Sequence, residues 1–221
     1  VDGEGRGDIL VGAPMESTGG DYAGAAYLVS GVNANADQSL GEATAKFIGE
    51  NASDSAGNAV SSAGDMNGDG LDDVVIGADH ASAEGGAVGI AYLLYAPFSG
   101  IVDLADSDAK IIGASTGDRT GLSLAASGDF NGDQVGDIAV GAPQGTYMEE
   151  GDGVVYLFFG PLEGEYPSAD ANVIIFGETG NDRAGTDMSM VPDLDGDYRD
   201  EILLGAEYAG GNGAAYVVYG R

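Results

Sequence analysis

The chain has no cysteine, no tryptophan and a single histidine, and only 7 lysines and arginines stand against 37 aspartates and glutamates. Without cysteine there is no disulfide framework, no zinc–thiolate site and no thiol nucleophile. With a formal charge of −30 the chain lacks the clustered cations that displace counterions from phosphates, so no nucleic acid is expected as a partner, and an anionic membrane surface is equally unsuited. No apolar run reaches the roughly 18 to 20 residues that span a bilayer as a helix, so no membrane insertion is expected. Val1 opens no basic-then-apolar leader. A sustained 3.6-residue apolar period is also missing, which argues against amphipathic helices. What is present is 43% hydrophobic residues, enough for a core, and an excess of carboxylates whose natural partners are cations.

The sequence repeats itself. "GDMNGDGLDDVVIGAD" from Gly64, "GDFNGDQVGDIAVGAP" from Gly128 and "PDLDGDYRDEILLGAE" from Pro192 place Asp65, Asp129 and Asp193 at equal spacings of 64 residues, and the opening "DGEGRGDILVGAP" fits the same frame. After each acidic loop comes an aromatic segment: "GAAYLVSG" (24–31), "GIAYLLYA" (89–96), "GVVYLFFG" (153–160) and "GAAYVVYG" (213–220). A third segment reads "AKFIGE" (45–50), "AKIIGA" (109–114) and "VIIFGE" (173–178). A fourth, rich in Gly, Ala and Ser, precedes the next loop at 55–65, 119–129 and 183–193. Short runs of β-branched and aromatic residues bounded by Gly, Asn and Asp read as strands. Four such strands cannot bury both faces alone, and radial stacking of four-stranded antiparallel blades suits this period, so an all-β propeller is expected. The small-residue strand is placed innermost (A), followed by B after the acidic loop, the aromatic C and the outer D. Repeats run over 1–64, 65–128, 129–192 and 193–221, one partial propeller in all.

Each loop sets oxygen donors at alternate positions. Asp65, Asn67, Asp69 and Asp73 occupy positions 1, 3, 5 and 9, with the Leu71 carbonyl at position 7; the next copy supplies Asp129, Asn131, Asp133 and Asp137 with the Val135 carbonyl, and the last Asp193, Asp195, Asp197 and Glu201 with the Arg199 carbonyl. In the first loop Asp2, Glu4 and Asp8 remain, with the Arg6 carbonyl at position 7. A lone Asn-Gly or Asp-Gly reads as a hairpin turn. Three complete copies of D-x-[ND]-x-D-x-x-x-[DE] instead converge hard oxygens on one point, which suits Ca²⁺ better than the water-retaining Mg²⁺. Ile76, Val140 and Leu204 stand where an EF-hand needs Glu, so the sites are expected between strands. Arg6-Gly7-Asp8, an adhesion tripeptide on its face, falls inside a metal loop and reads as coincidence.

With these loops and strands the chain resembles the FG-GAP repeats of integrin alpha-chain β-propellers and related bacterial proteins. Phe176-Gly177, Gly12-Ala13-Pro14 and Gly141-Ala142-Pro143 carry the name, while Ile112-Gly113 and Gly205-Ala206-Glu207 depart from it. The resemblance implies seven blades, whereas fourteen strands are read here, so self-association or pairing with the remaining blades is expected. It also implies an extracellular or cell-surface module for adhesion, protein–protein interaction or scaffolding, with a protein or glycan ligand. The rival is the propeller part of an extracellular polysaccharide-acting lyase or hydrolase. No convergent acid, base and nucleophile set stands out, so no enzymatic activity is expected of this chain. His80 reads as a solvated loop residue, Tyr27, Tyr92, Tyr156 and Tyr216 as packing residues, and Arg119 and Arg183 as local or inter-blade ion pairs.

Overall fold

The computed structural model describes all residues except 2, 4, 32–36, 38 and 84. In chain order the strands are β1 (Ile9–Ala13), β2 (Ala25–Val29) and β3 (Ala45–Ile48); then β4 (Ala59–Gly64), β5 (Asp73–Ala78), the short hairpin β6 (Ser82–Ala83) and β7 (Gly86–Ala87), β8 (Ile90–Leu94), β9 (Gly100–Asp103) and β10 (Ala109–Ile112). They continue with β11 (Ser123–Gly128), β12 (Asp137–Ala142), β13 (Val154–Phe159), β14 (Gly164–Pro167) and β15 (Val173–Phe176), and end with β16 (Ala184–Val191), β17 (Glu201–Ala206) and β18 (Ala214–Val218). No α-helix occurs among the described residues. The fold is an all-β propeller. Its blades are the antiparallel sets β1-β2-β3, β4-β5-β8-β10, β11-β12-β13-β15 and β16-β17-β18. These are the fourteen strands read from the sequence.

Stacking explains the residue pattern. One face of the second blade, with Val74, Ile76, Tyr92 and Leu94, packs on Ala26, Leu28 and Phe47 of the first. Its other face, with Val75, Ala91 and Leu93, meets Ile138, Val140, Tyr156 and Phe158 of the third. The third then presents Ala139, Val155 and Leu157 to Ile202 and Leu204 of the fourth. Strands covered on both faces read as unbroken apolar runs, and β5 and β12 are buried at every residue. Each fully buried side chain of the size of Ile76 or Phe158 contributes about 1.5–3 kcal/mol.

The innermost strands β4, β11 and β16 touch one another across blades, as their small side chains allow. The glycine of the Gly-Ala pair closing strand B sets this spacing. A Cβ on Gly77 would lie 2.0 Å from the Gly121 carbonyl oxygen of the next blade, and the Gly121 N–H donates to the Gly141 carbonyl at 2.9 Å. Gly205, with no blade beyond it among the described residues, meets nothing closer than 3.6 Å.

The blades differ from a purely four-stranded antiparallel plan in one respect. β9 lies parallel to β3, and β14 parallel to β10, so that a segment following strand C of one blade straps the outer strand of the blade before it. The pattern that does this, a short apolar anchor and a glycine, is too brief to announce a strand in sequence.

Candidate metal centres

The acidic loops join strands A and B of three blades, and backbone N–H groups fold each around its first aspartate. Asp65 accepts from Gly68 (2.8 Å), Asp69 (2.9 Å) and Gly70 (2.9 Å). Asp129 accepts from Gly132 (2.7 Å), Asp133 (3.0 Å) and Gln134 (2.8 Å), and Asp193 from Gly196 (2.6 Å), Asp197 (3.2 Å) and Tyr198 (2.9 Å). The donor after position 5 sits at positive φ in all three loops: Gly70, Gln134 and Tyr198 have φ of 90°, 71° and 70°. Gln134 and Tyr198 therefore adopt the left-handed turn that glycine adopts in the second loop, at some cost in strain. Asn67, Asn131 and Asp195 at position 3 accept from the N–H of position 5 (2.9, 2.8 and 3.2 Å), and Asp69, Asp133 and Asp197 accept from Leu71, Val135 and Arg199 at position 7 (2.8, 2.8 and 3.0 Å). The expected ligand positions thus share one turn in the loops that begin at Asp65, Asp129 and Asp193.

Position 9 has a second task that the sequence did not disclose. Asp73 accepts from Met66 (2.9 Å) inside its loop and from Ala96 (2.9 Å) at the end of strand C; Asp137 accepts from Phe130 (2.8 Å) and Gly160 (3.2 Å) in the same way. Asp8 repeats half of this, accepting from Gly31 at 2.9 Å. These carboxylates staple strand C to the loop. Burial pushes Asp137 up to about 6 and raises Asp73, because little surrounds them to solvate a charge. Asp193, ringed by the N–H groups of Tyr198 and Gly196, is instead held below the usual carboxylate range.

The last loop departs from this plan. Asp193, Asp195, Asp197 and Glu201 each offer a carboxylate oxygen within 4.8 Å of the others. Glu201 is fully buried; its Oε2 accepts from Leu194 at 2.8 Å, but its Oε1 has no hydrogen-bond partner. A buried carboxylate with one oxygen unpartnered, set beside three further carboxylates, is costly in the protein alone. This donor set fits a divalent cation, which takes oxygens of this kind. Arg199 joins the fourth loop to the third, reaching the Asn131 carbonyl through Nε at 3.3 Å and Asp197 at 3.3 Å.

Of the first loop, Asp2 and Glu4 lie outside the described residues, and Arg6 and Asp8 lie within them. The Asp8 side chain is only 7% exposed, so the tripeptide's carboxylate is turned inward. His80 is half exposed, with Nδ1 3.1 Å from Asp79. Arg119 also binds Asp79, through Nε at 2.8 Å, and reaches back to the preceding blade, whereas Arg183 pairs with Glu207 of its own blade at 2.7 Å. Tyr92 and Tyr156 are buried between blades, and the Tyr92 hydroxyl donates to Glu50 at 3.2 Å.

An FG-GAP repeat model matches residues 56–94 and 120–158, each covering strands A to C and the loop of one blade. Phosphatidylinositol-glycan-specific phospholipase D of Bos taurus is 36% identical over 157 residues, 67% of this chain and 18% of that protein. Integrin alpha-PS2 of Drosophila melanogaster is 32% identical over 216 residues, 93% of this chain and 14% of that protein, and integrin alpha-7 of Mus musculus is 32% identical over 143 residues, 64% and 11%. The chain spans less than a fifth of the length of these relatives. With the loop turns, the Gly-Ala contacts and the stacked blades all recurring at the repeat period, the chain is an FG-GAP repeat protein of integrin-like β-propeller fold.

Proposed function

We propose that this chain is a calcium-binding, extracellular propeller module for adhesion, protein–protein interaction or scaffolding, and that it performs no catalysis itself. The convergence of carboxylate oxygens from Asp193, Asp195, Asp197 and the buried Glu201, which also holds an unpartnered oxygen, carries the metal reading. Loops 65–73 and 129–137 repeat its turn and its donor positions. Ca²⁺ suits them, since it accepts many oxygens in a flexible arrangement whereas Mg²⁺ demands an octahedron and keeps its waters. The similarity to integrin alpha chains supports an interaction role, and among the described residues no helix is long and apolar enough to cross a membrane. The similarity to a phospholipase D favours a second reading, a propeller accompanying an extracellular hydrolase or lyase domain, in which the loops keep the same role.

The partner is a protein or glycan, and further blades or another copy cover the two outer faces. Leu203 and Val217 are 41% and 42% exposed where Val75 and Leu93 of the second blade are buried. Calorimetric titration of chelator-treated protein tests the metal reading. Saturable calcium binding, much tighter than magnesium binding and one site fewer in Glu201→Gln, is expected; no calcium heat at millimolar concentration overturns it.

A further inference from the structure

We infer that the metal sites of loops 129–137 and 193–201 are coupled, each raising the other's affinity for calcium, through a bridge built by Arg199 and Asp200; this rests on the calcium reading proposed above. Neither side chain is an expected ligand, yet both hold residues that are. Asp200 spans the two loops. Its Oδ1 accepts from the Asp193 N–H at 3.2 Å and its Oδ2 from the Asp129 N–H at 3.0 Å, so one carboxylate orients the first residue of both turns. Its own N–H donates to the Asp129 carbonyl at 2.9 Å, which fixes Asp129 from both sides. Arg199 makes the second span: its Nε donates to the carbonyl of Asn131, position 3 of the third loop, at 3.3 Å, and its guanidinium pairs with Asp197, position 5 of its own loop, at 3.3 Å. The arginine stem lies on the third loop's turn glycine, for a Cβ on Gly132 would come within 3.0 Å of Arg199 Nε and 3.3 Å of its Cγ.

The preceding pair of loops lacks this bridge. Val135 and Gly136 stand where Arg199 and Asp200 stand, so the third loop has no polar side chain at either position to offer the second. Among the described residues no hydrogen bond joins loop 65–73 to loop 129–137. The second loop therefore serves as the uncoupled reference within the same chain.

Ordering is the source of the coupling. A cation in the fourth loop fixes Asp193, Asp197 and the Arg199 carbonyl, and with them the side chains of Arg199 and Asp200. Asp129 and Asn131 are then already placed, and the second site fills at a smaller ordering cost. Repulsion between the two bound cations opposes this, but exposed charges are screened over about 8 Å at about 0.15 M salt, where ordering sets the sign. Linkage makes the effect equal in both directions.

The test is hydrogen exchange on the whole chain, titrated with calcium in physiological salt. The amides of Gly70, Gln134 and Tyr198, each bonded to the first aspartate of its loop, report the three loops separately. Glu201→Gln, which disables the fourth site, should raise the calcium midpoint of the third loop about fivefold or more, the lower end of common site–site couplings, and leave the second loop's midpoint unchanged. Asp133→Asn should raise the fourth loop's midpoint by the same factor. Once Asp200→Ala is in place, adding Glu201→Gln should shift the third loop by less than about twofold, because the bridge is gone. A third-loop midpoint that ignores Glu201→Gln overturns the inference, as does an equal shift in the second loop, which would mark general destabilisation. Should Asp200→Ala disturb the fourth blade, Glu201→Gln and Asp133→Asn still decide. Calcium-dependent protection missing from every loop would overturn the calcium reading itself and this inference with it, whereas protection with independent midpoints sinks the coupling alone.

Discussion

Loops 129–137 and 193–201 share a turn but solve its electrostatics differently. In the former an asparagine at position 3 lowers the charge, and Asp137 is engaged through both oxygens by Phe130 and Gly160. In the latter a fourth carboxylate replaces the asparagine, and the longer Glu201 leaves Oε1 buried and unpartnered. Both loops hold their turn through backbone hydrogen bonds, but the fourth sets four carboxylates together where the third has three, and only Asp197 among them is paired with Arg199. One repeat motif therefore yields a staple in one blade and a stronger cation demand in another.

Removing calcium altogether should have the largest effect. With three loops at a dissociation constant of ~0.1 mM and millimolar calcium, mass action gives about 5 kcal/mol, or a fall in melting temperature of about 10–20 °C on adding chelator. An unchanged melting curve would remove the metal from both halves of the comparison.

Single substitutions separate the two loops. Asp137→Asn puts an amide where buried N–H groups need an acceptor and should already cost about 1–3 kcal/mol in chelator, where no metal is bound. Glu201→Gln should cost about 1.5–2 kcal/mol in millimolar calcium, through loss of one site. In chelator it should be neutral or stabilising, since it discharges an unpartnered carboxylate. Denaturant melts of both variants in both conditions check this, and parallel behaviour of the two would erase the distinction.

Exchanging the position 3 residues should have a smaller effect. Asn131→Asp should tighten calcium binding to the third loop and Asp195→Asn weaken it in the fourth, each by about threefold to tenfold, because charge count tunes these sites. Calorimetry that finds no change would mean that position 3 does not face the ion. Smallest of all should be Arg6→Ala, within about 0.5 kcal/mol. Asp8→Ala should cost about 1 kcal/mol or more by releasing Gly31. A thermal melt in which Arg6→Ala is the more damaging would reverse the reading of the first loop.

Much of this was legible in the sequence because the repeat compares four versions of one structure within a single chain. Strand identity at β5, β8, β12 and β13 follows from apolar runs between glycines, and the loop turns follow from aspartates at fixed offsets. The straps β9 and β14 were not legible: their four-residue segments carry no period, and their partners lie some 55 residues away in the preceding blade. Nor was the stapling role of Asp73 and Asp137, since a ligand and a hydrogen-bond acceptor look the same in one dimension.

The sequence by itself determined what recurs locally: the strands, the tight acidic turns, and the Gly-Ala pair that lets blades approach. Those depend on backbone freedom and side-chain spacing within a few residues. Only the tertiary structure decided which carboxylate oxygens remain open, which arginine crosses between blades and which outer strand is covered. Each of these depends on what a neighbouring blade brings to within hydrogen-bond reach. At Asp137 strand C brings Gly160 to the second oxygen whereas Glu201 Oε1 has no partner, and at β3 and β10 a segment of the next blade covers the outer edge.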